Sequence, residues 1–211
     1  MSQENPLIAI EESIQKAESV CDAEIVVAFA EMSGPYKDVR MLWGIVFAFI
    51  TLAILMFAPI NFNVLYLIPN ILIAFVIGYG ATLLFPRLIL FTSSKERAMN
   101  QVKANAALTW HKQGVSLTKR RTGVLIYVSL LERDGTFICD AGIREKVPKP
   151  LLGKLAVLLK DLSRKDDPVK NFELFLGEFA ETMKEYVPEA EDNPDELPNT
   201  PLWLKRGELW D

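Results

Sequence analysis

The stretch GVLIYVSLLERDGTFICD, Gly123 to Asp140, sets the fold class of this chain. Its first part, Gly123 to Leu131, is β-branched, aromatic and almost unbroken in apolar character, as a strand covered on both faces requires. Arg133-Asp134-Gly135 supplies turn residues, and Thr136 to Asp140 (TFICD) reads as the returning strand. Upstream, Glu24 to Ala30 (EIVVAFA) has the same buried-strand composition. Between them Ser93, with Glu96 three residues on, forms a capping box. Met99, Val102, Ala106 and Trp110 then recur at helical spacing up to Gly114. A strand, a helical crossover and a strand predict a parallel pair with a right-handed connection, and the tight turn adds an antiparallel neighbour.

Outside this nucleus the pattern is helical. Asn5 caps a helix with Pro6 at its first position, followed by Leu7, Ile10, Ile14, Ala17 and Cys21. Leu151, Leu152, Leu155, Leu158, Leu159 and Leu162 stripe one later helix, and Phe172, Phe175, Leu176, Phe179, Met183 and Tyr186 another. The expectation is an α/β fold, a small mixed β-sheet with helices on both faces.

The crossover is interrupted. From Met41 to Pro86 there is no Asp, Glu, Lys or Arg, in a chain where 24% of residues are charged. A bilayer core of about 30 Å needs roughly 20 apolar helical residues, so this stretch predicts a two-helix transmembrane hairpin, about 41–58 and 64–85. Ala58-Pro59-Ile60-Asn61-Phe62-Asn63 supplies the turn, and Pro69 predicts a kink in the second span. Every face of both helices is apolar, unlike a core helix of a soluble protein. Gly78 and Gly80 let backbones approach without forming the spaced dimer motif. No ionisable group lies inside either span, so the hairpin reads as an anchor and not as an ion path. Lys37 and Arg40 precede it and Arg87, Lys95, Arg97 and Lys103 follow it. The connecting loop has no basic residue, which predicts that both flanks and both termini are cytoplasmic. The first helix lacks the layout of a cleaved signal peptide. The implied organisation is one discontinuous cytoplasmic domain (5–40 with 93–187), the hairpin (41–86) and an acidic, Pro-rich tail (188–211).

Three blocks carry a family resemblance: AEIVVAFAEMSGPY from Ala23, HKQGVSLTKRRTGVLIYVSLLERDGTFICDAGI from His111, and PDELPNTPLWL from Pro194. Together they resemble the membrane-inserted bacterial branch of the TPM domain family, named for thylakoid, photosystem II repair and receptor-modulator proteins. The resemblance implies an α/β sandwich and a membrane-associated role, placing the chain in the bacterial inner membrane. It also implies one of several activities linked to the family: acid phosphatase, divalent-cation binding with Ca²⁺ or Mg²⁺, or assembly and repair of membrane complexes.

The residues themselves favour binding over catalysis. A net charge of -4 argues against a nucleic-acid partner. The run Lys119-Arg120-Arg121 reads as a solvated face or a contact to lipid headgroups. His111 stands alone near a helix C-terminus, where it complements the dipole. Cys21 and Cys139 lack a CxxC spacing and read as small packing residues in a reducing compartment. No residue emerges as catalytic. The sharpest candidates are Asp22, Glu24 and Asp140, which the topology places at one sheet end, away from the bilayer, where a hard divalent cation would accept their oxygens. Against that, three donors fall short of the roughly six to eight oxygens that Ca²⁺ takes. The alternative is that Glu24 pairs with a nearby Lys or Arg and Asp140 ends its strand in an Asp-Ala-Gly turn. Tyr36, Lys37, Glu132, Arg133 and Asp134 belong to the opposite end, expected to face headgroups. Lys149, Lys154 and Lys160 either ride near the membrane or form a solvated helix face, and the solvated reading is the expectation. The tail, with Asp192, Pro194, Asp195, Glu196, Pro198 and Pro201 before Leu202, Trp203, Leu204, Leu209 and Trp210, either packs back on the domain or docks elsewhere. The expected function is a non-enzymatic binding or maintenance factor for other membrane proteins, held in the lipid bilayer. The alternative is a membrane-tethered, divalent-cation-dependent acid phosphatase.

Overall fold

The computed structural model describes residues 6–57, 64–189 and 196–206. Asn5, the turn 58–63, and Asp192, Pro194, Asp195, Leu209 and Trp210 lie outside the described residues. In chain order the elements begin α1 (Pro6–Glu18), β1 (Glu24–Ala30), α2 (Lys37–Phe57), α3 (Leu67–Leu84), α4 (Arg87–Thr92) and α5 (Lys95–Lys112). They continue β2 (Gly123–Ser129), β3 (Asp134–Cys139), α6 (Ala141–Lys146), α7 (Lys149–Ser163), α8 (Pro168–Tyr186) and β4 (Leu202–Leu204). The chain forms two compact units, residues 1–33 with 99–211, and residues 34–98.

The first unit is built on a mixed four-stranded sheet of order β3-β2-β1-β4. β1 and β2 run parallel, from Glu24 opposite Gly123 to Ala30 opposite Ser129. β3 returns antiparallel along β2. Every residue of β1 and β2 is buried, because helices cover both faces. On one face Ile25, Val27, Phe29 and Ile126 meet Ile10 and Ile14 of α1, Leu155 and Leu159 of α7, and Phe172, Phe175 and Phe179 of α8. On the other, Val26, Ala28, Leu125 and Tyr127 meet Val102, Ala106 and Trp110 of α5.

The β2–β3 turn falls earlier than Arg133-Asp134-Gly135 suggests. Ser129 already pairs with Asp134, so Leu130 to Arg133 makes the reversal, with Arg133 at φ 50°. Gly135 serves packing instead: a Cβ there would lie 2.6 Å from Ser163 Oγ and 2.9 Å from Leu159 Cγ on α7. The cap of α5 also shifts by one residue. Ser94, not Ser93, accepts from Arg97 N at 3.2 Å, because the helix begins at Lys95 and Arg97 is its third residue.

The tail packs back. Leu202 to Leu204 forms a short parallel edge strand opposite Ala28 to Ala30, and Trp203 stacks on Phe29 with ring centroids 5.9 Å apart. An exposed sheet edge invites pairing with other chains, and this proline-flanked segment covers it.

In the second unit α2 and α3 pack against each other through glycines. A Cβ on Gly44 would lie 2.8 Å from the Phe75 ring, and one on Gly78 only 2.6 Å from the carbonyl oxygen of Trp43. Gly80 faces open space. Pro69 lies in the first turn of α3, where its missing N–H has no helical partner to lose, so it gives no reason for the expected kink. At the base, Arg97 clasps Asp38 with two bonds of 2.5 and 2.6 Å, and its guanidinium lies 5.4 Å from the Tyr36 ring centroid. Both helices are long and apolar enough to cross a membrane by length and composition.

Candidate functional site

The register places the three predicted carboxylates at one end of the sheet. Glu24 opens β1 beside Gly123, whose carbonyl accepts from Asp140 N at 2.9 Å, and Asp22 lies just before β1. All three side chains are buried. A buried carboxylate demands partners, and each finds a different one.

Asp22 Oδ1 pairs with Arg120 Nη1 at 2.5 Å. Glu24 Oε2 accepts the backbone N–H groups of Glu196 at 3.1 Å and Leu197 at 3.3 Å. Asp140 Oδ1 accepts Ala141 N at 2.5 Å and forms an ion pair with Arg121 Nη2 at 3.1 Å. It is the N-cap of α6, a helix in place of the expected Asp-Ala-Gly turn. Gly142 is needed there because a Cβ would stand 2.7 Å from the carbonyls of Arg120 and Arg121. At two of the three positions of the basic run 119–121 the side chains pair within the fold, Arg120 with Asp22 and Arg121 with Asp140.

This arrangement suits anchoring more than coordination. Among the three, Asp140 keeps a buried oxygen, Oδ2, with no hydrogen-bond partner. Two guanidinium groups already neutralise Asp22 and Asp140 and would repel a cation, so the set does not fit Ca²⁺ or Mg²⁺. Among the described residues no three His, Cys, Asp or Glu side chains are grouped to hold a metal ion.

The opposite end of β1 and β2 holds a polar network that the sequence reading missed. Ser33, Tyr127 and Ser129 are fully buried, with Asn105 of α5 beside them. Ser33 Oγ donates to Ser129 Oγ at 2.8 Å, and Ser129 Oγ donates to Glu132 Oε2 at 2.5 Å. Since Ser33 spends its one proton on Ser129, Tyr127 OH must be the donor in its 3.0 Å contact with Ser33 Oγ. Burial pushes the Tyr127 phenol well above its usual range, so it stays a donor. Glu132 also accepts Ser33 N, at 3.0 and 3.2 Å, and Asn105 Nδ2 donates to the Ser33 carbonyl. The chain of hydroxyls thus ends on a carboxylate and holds the exit of β1 against β2 and α5. The signal was present: Tyr127 and Ser129 share one face of β2, and Asn105 falls inside the stripe of Val102, Ala106 and Thr109. Two other residues expected at this end have partners within the sheet unit, Arg133 with Asp166 at 3.1 Å and Asp134 with Lys160 at 3.5 Å.

The sequence matches no family model and no curated protein. Among solved structures it is similar to the NMR structure of BA42, from the psychrophilic bacterium Bizionia argentinensis, an uncharacterised protein of the TPM domain family. The TM-score is 0.57 at 16% identity, covering 94% of this chain and 92% of that one. The chain has a TPM-like fold. Within this TPM-like architecture His111 is exposed in the last turn of α5. Cys21 and Cys139 are buried free thiols, raised by burial to about 11 and about 12 respectively. That places them as packing residues, since a reactive cysteine needs an accessible thiolate.

Proposed function

We propose that this protein is a membrane-anchored TPM-like domain that binds and supports other membrane proteins. The observation that carries the anchoring is the exposure of α2 and α3: only 11% and 17% of their most apolar stretches are buried. A core helix of a soluble protein passes the same length test but hides its apolar side chains; these display them, with Phe49 67% and Phe57 88% exposed. Eighteen residues of α3 span about 27 Å at 1.5 Å per residue, close to a bilayer core. With basic residues on both flanks and none in the connecting loop, the sheet unit lies on the cytoplasmic side of the bacterial inner membrane. The binding role fits sheet ends whose carboxylates make structural contacts, Asp22 with Arg120, Glu24 with the N–H groups of Glu196 and Leu197, and Asp140 as the cap of α6.

Alkaline extraction of membranes carrying the full chain, followed by crosslinking and identification of what co-purifies, tests both parts. Recovery in the soluble fraction would remove the anchor. Turnover of a generic phosphate ester that depends on Mg²⁺ or Ca²⁺ and is lost in Glu24→Ala or Asp140→Ala would establish the phosphatase reading in its place.

A further inference from the structure

The position of α4 beside α2 carries a second inference, which rests on the proposal that α2 and α3 cross the bilayer. Two contacts fix its level. At the base, Arg97 at the start of α5 holds Asp38, the second residue of α2. At the far end of α4, Thr92 Oγ1 accepts from Trp43 Nε1 at 2.9 Å. Trp43 is five residues beyond Asp38, about 7.5 Å further along the helix at 1.5 Å per residue. Between leaving α3 and entering α5, the chain therefore runs back from the level of the charges to that of the first apolar turns.

We infer that α4 is an interfacial element, dipping into the boundary between the headgroups and acyl chains of an anionic cytoplasmic leaflet. Its side chains are divided accordingly. Ile89 is buried, while Phe91 is 87% exposed and Leu84 and Phe85, just before α4, are also exposed. Phe91 stands next to Thr92, level with Trp43, whose ring suits the membrane boundary. Flanking the apolar helices in sequence, residues 34–98 carry Lys37, Arg40, Arg87, Lys95 and Arg97 against Asp38 and Glu96. Arg97 already neutralises Asp38, so the unit's remaining charge is predominantly positive. A short apolar insertion flanked by basic residues binds anionic lipid through both terms together. The lipid is also the occupant most consistent with continuity, since Leu84 and Phe85 extend the exposed surface of α3 directly into α4.

The test uses the full chain in nanodiscs containing phosphatidylglycerol, with Phe91→Cys and, separately, Ile50→Cys labelled by a thiol fluorophore. The native Cys21 and Cys139 are buried and leave the label specific. Spin labels placed high or low on the acyl chain report depth. The label at position 91 is expected to be quenched about threefold more by the shallow spin label, and the one at position 50 by the deep one. In discs of zwitterionic lipid alone, the quenching at position 91 is expected to fall. Absence of lipid quenching at position 91, or quenching as deep as at position 50, overturns the interfacial placement while the spans stand. Absence of that fall overturns the anionic preference. Absence of deep quenching at position 50 overturns the spans themselves.

Discussion

The two units of this chain use the same side chains under opposite rules. In the sheet unit Phe175, Ile25 and Ile126 are fully buried, each enclosed between strand and helix. In residues 34–98, Phe49, Ile54 and Phe57 are exposed although they are no less apolar. Apolar composition sets how much surface must leave water; it does not say what hides it. A sheet has two faces and gathers helices onto both. Two helices alone have one seam between them, and the rest of each cylinder needs another partner.

The largest test of this contrast compares phenylalanines. Phe175→Ala is expected to destabilise the sheet unit by about 3–5 kcal/mol in denaturant unfolding, the range for truncating a buried aromatic. Phe49→Ala should leave that unfolding unchanged within about 0.5 kcal/mol. Comparable costs would erase the distinction. Within the second unit, Gly78→Leu should disrupt the α2–α3 seam by about 1–3 kcal/mol, since its Cβ meets backbone, whereas Gly80→Ala should be neutral. Protection of α2 and α3 amides in hydrogen exchange reads the difference, and equal effects would show that the seam is not close-packed. In the sheet unit Glu24→Gln should weaken the docking of residues 196–204 by about 1–3 kcal/mol and raise exchange at Glu196 and Leu197, which lose a charged acceptor. Unchanged exchange would mean that β4 alone holds the tail.

The smallest effect concerns the thiols. Cys21 is raised to about 11, so raising the pH from 7 to 9 should speed labelling of the unfolded chain but leave the native thiol protonated and unlabelled. The linkage has a definite sign: stability from the neutral buried thiol is intact below its ordinary value of 9.0 and is lost as the pH rises toward about 11. Rapid native labelling at pH 9 would show that α1 and the β1 entrance open readily.

Much of the architecture was legible locally. The expected strand Glu24 to Ala30 matches β1 residue for residue, because six consecutive apolar positions after Glu24, stopped by Gly34-Pro35, are the composition of a covered strand. The stripes of α7 and α8 were equally plain. The misses share a cause, which is that glycine and aspartate serve several purposes. Gly135 looks like a turn residue but makes room for α7, and Asp140 looks like a strand end but caps α6. β4 was not legible as a strand, since three residues among prolines have no period of their own. At the candidate site, the common sheet end of Asp22, Glu24 and Asp140 followed from strand directions. Their partners did not, because Arg120, Arg121 and the N–H groups of Glu196 and Leu197 come from distant segments.

The sequence by itself determined where most of the strands and helices lie, that β1 and β2 run parallel, and that one stretch is long and apolar enough to cross a membrane. Those are properties of neighbours along the chain, where period, length and charge act locally. Only the tertiary structure decided which buried carboxylate meets which cation, that the tail closes the sheet edge, and that Ser33, Tyr127, Ser129 and Glu132 join in one network. Each depends on groups dozens of residues apart meeting within about 3 Å, and hydrogen bonds are too short-ranged to be read from composition.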